Sequence, residues 1–119
     1  MAEMLIIIKE ERLMKIVNLT DHDVNVYDNE TLIKTYRPSG LNARVSYSWD
    51  QIDCVDGIPI EVESNTKVVE LPEPIEDVMF IVSTYVFNSC PDRTDLLVPA
   101  HQIKINGRVV GCMSFLTRR

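Results

Sequence analysis

From Met14 onward the chain consists of short runs rich in β-branched residues, separated by residues that favour turns. Two of the separators are Asp56-Gly57 and Asn106-Gly107, dipeptides that form tight type I′ turns between antiparallel strands. The runs around the second dipeptide, QIKI and RVVGC, alternate apolar and polar residues as half-buried strands do. The pattern predicts about nine short strands, with IPIEVE and TKVVEL expected to be separate ones.

One segment departs from this pattern and carries the helix that we expect. The continuous apolar run VMFIVS predicts a buried central strand. Ser83 can then cap a short helix over about residues 83–90, which Pro91 must end or closely follow. The expected fold class is therefore mainly β, a single small antiparallel barrel or sandwich with this one short helix.

At 119 residues the chain has room for one domain with a single hydrophobic core. We expect residues 14–119 to form this β-rich domain. Residues 1–13 differ, because the codons of Lys9 to Arg12 can form a purine-rich run like a ribosome-binding site upstream of Met14. We therefore expect residues 1–13 to be an N-terminal extension or translated leader. The alternative is a genuine edge strand formed by LIIIK.

The cysteines, the apolar runs and the missing motifs indicate the compartment of the protein and whether it needs a metal or cofactor. Cys54, Cys90 and Cys112 are odd in number and widely spaced, which favours reduced thiols over a disulfide framework. No run approaches the roughly 18 apolar residues of a membrane span, so we expect a soluble, cytoplasmic protein. The paired ligands of zinc sites and the glycine-rich loops of nucleotide sites are missing from the sequence, so we expect no metal and no cofactor.

Charge is distributed unevenly along the chain. The formal net charge is −6, yet residues 50–77 contain nine acids and one base, so this block alone carries −8. Such a chain repels the phosphates of nucleic acids. The block is either a solvated face that blunts strand edges, or a mimic of a nucleic-acid backbone that occupies the basic groove of another protein.

The stretch SCPDRTDLLVPAH, residues 89–101, is the densest in reactive side chains. Its aspartates can cap backbone amides at a turn, and its arginine can pair with a carboxylate or hold an anion with its planar guanidinium. The favoured interpretation is an ion-paired structural turn. The alternative is a site for a small anionic ligand, with the candidate residues Arg93, Asp92, Asp95, Arg37, Arg44 and His22.

The same stretch also contains the parts of a thiol enzyme, with Cys90 as nucleophile and His101 and Asp92 or Asp95 as its partners. Against this, the predicted helix ends at Cys90, where the negative end of the helix dipole disfavours a thiolate. No glycine elbow or oxyanion loop accompanies these residues in the sequence. We therefore expect no catalytic residues, and Cys112, on an alternating strand, is expected in the core.

Several phrases of the sequence occur together in one known family. VNLTDHDVNVYD, YRPSGLNARV, LPEP, SCPDRTDLLVPA and NGRVVGC follow one another between Met14 and Cys112. In these phrases the chain resembles a family of small, uncharacterised phage and prophage proteins that open with Asn-Leu-Thr-Pro-His-Pro. Asp21 and Asp23 stand here in place of the two prolines, which puts a rigid turn around His22 in doubt.

The resemblance implies a phage or prophage origin, and small accessory phage proteins often act by binding. We therefore expect a non-enzymatic, homo-oligomeric binding protein in the host cytoplasm, for example an antagonist of host defence. It would act on a host protein by contact or would sequester a small anionic ligand, without contacting nucleic acid or membrane. The alternatives drawn from the residues are an acidic mimic using residues 50–77 and a thiol enzyme using Cys90.

Overall fold

The computed structural model describes residues 14–119, and the predicted leader, residues 1–13, lies outside the described residues. Strands make up 59% and helix 6% of the structure, so the predicted mainly β class with one short helix is confirmed. The elements are β1 (Lys15–Asn18), β2 (Val24–Asp28), β3 (Thr31–Tyr36), β4 (Arg44–Val55), β5 (Ile58–Val69), β6 (Val78–Ile81), α1 (Thr84–Ser89), β7 (Leu96–Ile105) and β8 (Arg108–Leu116).

Six strands form one sheet in the order β1-β6-β7-β8-β2-β3. The sheet curls until β1 meets the segment just after β3, at an isolated bridge between Asn18 and Pro38, which gives a nearly closed barrel. β1–β6, β6–β7 and β2–β8 pair in parallel, where the sequence predicts antiparallel neighbours. Parallel pairing needs a long crossover, and α1 with its flanking loops supplies one between β6 and β7.

The core lies on both faces of β6 and β7, two neighbouring interior strands of the sheet. Phe80 and Val82 pack into one cluster of buried residues, and Ile81 packs with Leu97 into a second cluster. Burial on both faces is why residues 78–82, VMFIV, are continuously apolar, and the predicted buried strand is confirmed as an interior strand of the sheet. Cys112 is 2% exposed in the second cluster, as predicted for a core position. Burial raises the pKa of its thiol.

The helix α1 begins where the sequence predicts. Ser83 is its N-cap, and the Ser83 hydroxyl accepts a hydrogen bond of 3.2 Å from the backbone N–H of Val86. Val86 is fully buried and fixes the helix against the first core cluster. Between Met14 and Arg119 no helix is long and apolar enough to cross a membrane.

β4 and β5 pair with each other in a separate two-stranded sheet, with twelve residues in each strand. We call this hairpin, Arg44–Val69, the arm. At about 3.4 Å per residue each strand is ~40 Å long. Its turn, Asp56-Gly57, has φ of 52° and 76°, as a type I′ turn requires. The two strands predicted from IPIEVE and TKVVEL are one strand, β5, which pairs with β4 on both sides of a bulge near Asn65.

Candidate functional site

Arg93 lies in an ion pair with Asp95. Its Nε and Nη2 donate to the two carboxylate oxygens of Asp95, each over 2.8 Å, and Nη2 also donates to the Pro72 carbonyl over 3.0 Å. The Arg93 and Asp95 side chains are 20% and 16% exposed. The hydrogen bonds between them raise the pKa of Arg93 and lower the pKa of Asp95. Arg93 thus ties the loop before β6 to the start of β7, while Asp92 is exposed beside it.

The other predicted anion-binding residues lie in different places. Arg44 pairs with Glu70 at the base of the arm, and its hydrogen bond lowers the pKa of that carboxyl. Arg37 lines a cleft between β1 and β3. His22 is exposed in the loop between β1 and β2, with its Nδ1 2.9 Å from the Asp23 carbonyl oxygen. The structure therefore joins Arg93 to Asp95, whereas Arg37, Arg44 and His22 line different cavities.

Cys90, the nucleophile of the thiol-enzyme alternative, is the C-cap of α1. Its carbonyl accepts a hydrogen bond of 3.2 Å from Nη1 of Arg118. His101 is exposed on β7 with a left-handed φ of 56°. Across residues 14–119 no three side chains of histidine, cysteine, aspartate or glutamate come together to hold a metal ion.

Arg118 is a structural residue that sequence reasoning missed. Its Nη2 donates to the Phe87 carbonyl over 2.6 Å, and the guanidinium carbon lies 3.7 Å from the centre of the Phe87 ring. The same side chain therefore satisfies carbonyls at the end of α1 and stacks on an aromatic ring. No local pattern shows this, because Arg118 and α1 are about thirty residues apart.

The arm exposes large apolar side chains along most of its length. A two-stranded ribbon has no second layer to cover either face, and an isolated one is marginally stable in water. Contiguous exposed apolar surface of this kind marks contact sites in soluble proteins. The side chains concerned are 40–63% exposed: Tyr47, Trp49, Ile52, Val55, Ile58, Ile60 and Val62.

Cross-strand pairing gives the two faces of the arm different compositions. Ile58, Ile60 and Val62 alternate along β5, so they project from one face as a β-branched strip. On the other face Tyr47 and Trp49 meet edge to face, with ring centres 5.0 Å apart, and Trp49 pairs with Glu63. One face is thus aliphatic and the other aromatic.

The arm also holds five of the nine acids of the block at residues 50–77. Between residues 45 and 66 the sequence has no lysine or arginine. The remaining acids of the block lie elsewhere, Glu70 at the base and Glu73, Glu76 and Asp77 in the loop before β6. The outer part of the arm is therefore uniformly acidic, with the five carboxylates Asp50, Asp53, Asp56, Glu61 and Glu63.

A cleft of about 850 Å³ lies between β1 and β3, the two end strands of the sheet. Residues 14–18 form one wall, and residues 34–37 with Ser39 form the other. Three cations, Lys15, Lys34 and Arg37, line the cleft, and no carboxylate is among the lining residues within the described chain. We call this basic opening the seam cleft.

Asn18 closes one end of the seam cleft, a role that its sequence context does not reveal. Its side chain is 2% exposed, and its Nδ2 donates to the carbonyls of Tyr36 and His22, each over 2.8 Å. Its Oδ1 accepts from the Thr20 amide over 2.8 Å and from the Thr20 hydroxyl over 2.7 Å. One buried amide thus links β1, β3 and the loop between β1 and β2.

Within the described chain, the arm is therefore an acidic surface and the seam cleft a basic one, and we take these two surfaces as the candidate contact sites. Comparisons of the chain with protein-family models, with curated proteins and with solved structures found no match.

Proposed function

We propose that this protein is a non-enzymatic accessory binding protein that recognises a partner protein through its arm. The observation that supports this is the row of seven large apolar side chains that the arm exposes and the rest of the described chain leaves uncovered. The resemblance to phage and prophage proteins adds the setting, a host cytoplasm in which the partner is a host protein.

The form of the arm favours a protein over a small molecule as its ligand. Small-molecule sites are concave and enclose most of their ligand, whereas the arm is a ribbon with two open faces. Tyrosine and tryptophan are enriched at the centres of protein interfaces, and Tyr47 and Trp49 stand together on one face. In the described chain the outer edges of β4 and β5 have no neighbouring strand, so a partner strand can extend either edge.

Sequestration of a small anion by Arg93 has less support. Its guanidinium faces Asp95 and the Pro72 carbonyl, and its hydrogen bonds hold a loop in place. This geometry supports the ion-paired turn as the role of the PDRTD stretch.

The five carboxylates of the arm favour a second, narrower candidate, the mimicry of a nucleic-acid backbone. In that case the partner has a basic groove, and binding weakens steeply as salt screens the charges. A partner recognised through the apolar strips would instead remain bound at high salt.

The test is capture of the partner from a bacterial host lysate by the tagged full chain, followed by quantitative mass spectrometry. The variant carries Trp49→Ser, Ile58→Ser and Ile60→Ser on the arm. The matched control carries Ile75→Ser and Val109→Ser, which remove exposed apolar groups that lie outside the arm. We expect the arm variant to lose the partner and the control to keep it. A partner held equally by both variants would overturn the proposal.

A further inference from the structure

We propose that the seam cleft is a docking site for the arm of a second copy of this chain, so that two copies exchange arms. The inference rests on the proposed function in one respect, that the arm is a docking element. The receiving site is the seam cleft and the partner is a second copy, as backbone edges, charge and interface size indicate.

The backbone of the seam cleft is suited to accept a strand. β1 and β3 are the end strands of the six-stranded sheet, so each has one edge without a neighbouring strand in the described chain. β1 is joined to the segment just after β3, where Asn18 and Pro38 form a bridge and the Ser39 amide donates to the Asn18 carbonyl over 3.0 Å. Free edges are sites where a strand from another chain adds to a sheet. A strand inserted in the seam cleft would complete the barrel.

Exposed apolar side chains next to the seam cleft would be covered by such a strand. Met14 lies in its wall and is 48% exposed. Leu32 and Ile33, on the part of β3 that leads into the wall, are 51% and 61% exposed. The arm offers a matching strip in Ile58 and Ile60 on one face of β5. Each of the two surfaces thus has apolar groups that the other can bury.

Charge decides which surface the arm meets. Two arms laid against each other would bring two sets of carboxylates together, because the outer arm has no base. The seam cleft offers the opposite charge in Lys15, Lys34 and Arg37, with the Lys34 ammonium 5.6 Å from the centre of the Tyr36 ring. An acidic arm and a basic cleft on the same chain favour pairing of the arm of one copy with the cleft of another.

Reciprocal exchange makes the contact large enough to be stable. Specific interfaces bury at least about 1,200 Å² in total. A single narrow contact between one arm and one cleft buries less than this. A symmetric dimer forms the contact twice, because each copy gives an arm and receives one. Docking would also conceal the arm from other partners, so self-association and partner binding would compete.

The experiment is sedimentation of the full chain over a range of concentrations, at about 0.05 and 0.5 M salt. The cleft variant carries Lys34→Glu and Arg37→Glu, and the arm variant carries Asp50→Lys and Asp53→Lys. A matched control carries Lys104→Glu and Arg108→Glu, which reverse two exposed charges outside the seam cleft.

We expect the wild type and the control to dimerise at low salt and dissociate at high salt. Each reversed variant should associate at least ten-fold more weakly, and an equimolar mixture of the two should recover dimers because opposite charges face each other again. A monomeric wild type would overturn the proposal, as would a dimer that the cleft variant forms equally well. Dimers that form only after removal of residues 1–13 would identify that segment as the occupant and would also overturn it.

The two proposals fail separately in these experiments. The cleft variant keeps an intact arm, so it should still capture the host partner whether or not the chain dimerises. If the variant with Trp49→Ser, Ile58→Ser and Ile60→Ser loses the captured partner and the wild type is monomeric, the proposed function stands and the arm exchange is overturned. Dimers without any arm-dependent capture of a host protein would overturn the proposed function and leave the arm exchange standing.

Discussion

Replacing Asn18 by aspartate tests how the nearly closed barrel is held at its seam. The substitution preserves the shape of the side chain but replaces the Nδ2 donor with an oxygen. That oxygen would face the carbonyls of Tyr36 and His22, which now accept hydrogen bonds from Nδ2 over 2.8 Å each. Two hydrogen bonds are lost and two carbonyls are left facing a buried carboxylate.

The magnitude follows from these contacts. Each lost hydrogen bond costs about 1 kcal/mol, and burying a carboxylate without a donor against the two carbonyls costs about 2 kcal/mol more, although the His22 carbonyl can still accept a hydrogen bond from the Thr20 hydroxyl over 3.0 Å. We therefore expect Asn18→Asp to lower the free energy of unfolding by about 4 kcal/mol at pH 7, a large share of the roughly 5–15 kcal/mol typical of a domain. Urea denaturation monitored by circular dichroism measures the loss, with Asn88→Asp at an exposed position of α1 as the control.

The pH dependence gives a second, independent check. Burial among carbonyls raises the folded-state pKa of the introduced carboxyl group above its unfolded value. The folded variant therefore binds the proton more tightly, and its stability rises relative to the wild type as the pH falls through that raised pKa. A variant that loses less than 1 kcal/mol, or whose deficit does not shrink in acid, would refute the role assigned to Asn18.

Three other substitutions probe contacts outside the arm. Arg93→Ala should cost about 1–3 kcal/mol in urea denaturation. The ion pair lowers the pKa of Asp95 in the folded state, so the stability that the pair contributes is present above the unfolded-state pKa of about 3.9. That contribution is lost as the pH falls through the folded-state pKa, and the variant should not show this loss. Arg118→Ala should cost about 2 kcal/mol by removing charged hydrogen bonds to carbonyls at the end of α1, seen as faster amide exchange there. Gly111→Ala should cost about 2–3 kcal/mol in thermal melts, because its Cβ would overlap the Asn25 carbonyl.

The elements that the sequence predicts correctly are those with local physical causes. Gly57 and Gly107 adopt positive φ in the two predicted turns, and Ser83 caps the helix as expected. The run around Phe80 is apolar at every position because β6 is buried on both faces. These features depend on residues a few positions apart, so the sequence alone is sufficient to find them.

The features that escape prediction depend on residues far apart in the chain. Parallel pairing of β1 with β6 joins segments that the whole arm separates. The contacts of Asn18 with Tyr36 and of Arg118 with Phe87 join elements that only the folded chain brings together. A local pattern cannot supply such partners.

The candidate site was predictable in composition but not in form. The acidic block was visible in the sequence, and so was the pairing capacity of Arg93. Their placement was not, because β5 continues past the bulge near Asn65 by pairing with β4, a partner that lies on a different part of the chain. Period-2 alternation predicts one buried face for a strand such as β4. In the arm Trp49 and Ile52 are more than half exposed, since no second layer lies over the ribbon.

Hydrogen–deuterium exchange on the chain, alone and with the protein captured from host lysate, tests the central claim that the arm is the recognition element. At a concentration and salt at which the chain is monomeric, the amides on the outer edges of the arm should exchange quickly, because they have no neighbouring strand in the described chain. With the partner bound, we expect slowed exchange concentrated between residues 47 and 63. Slowed exchange confined to the barrel, with the arm unchanged, would contradict the account.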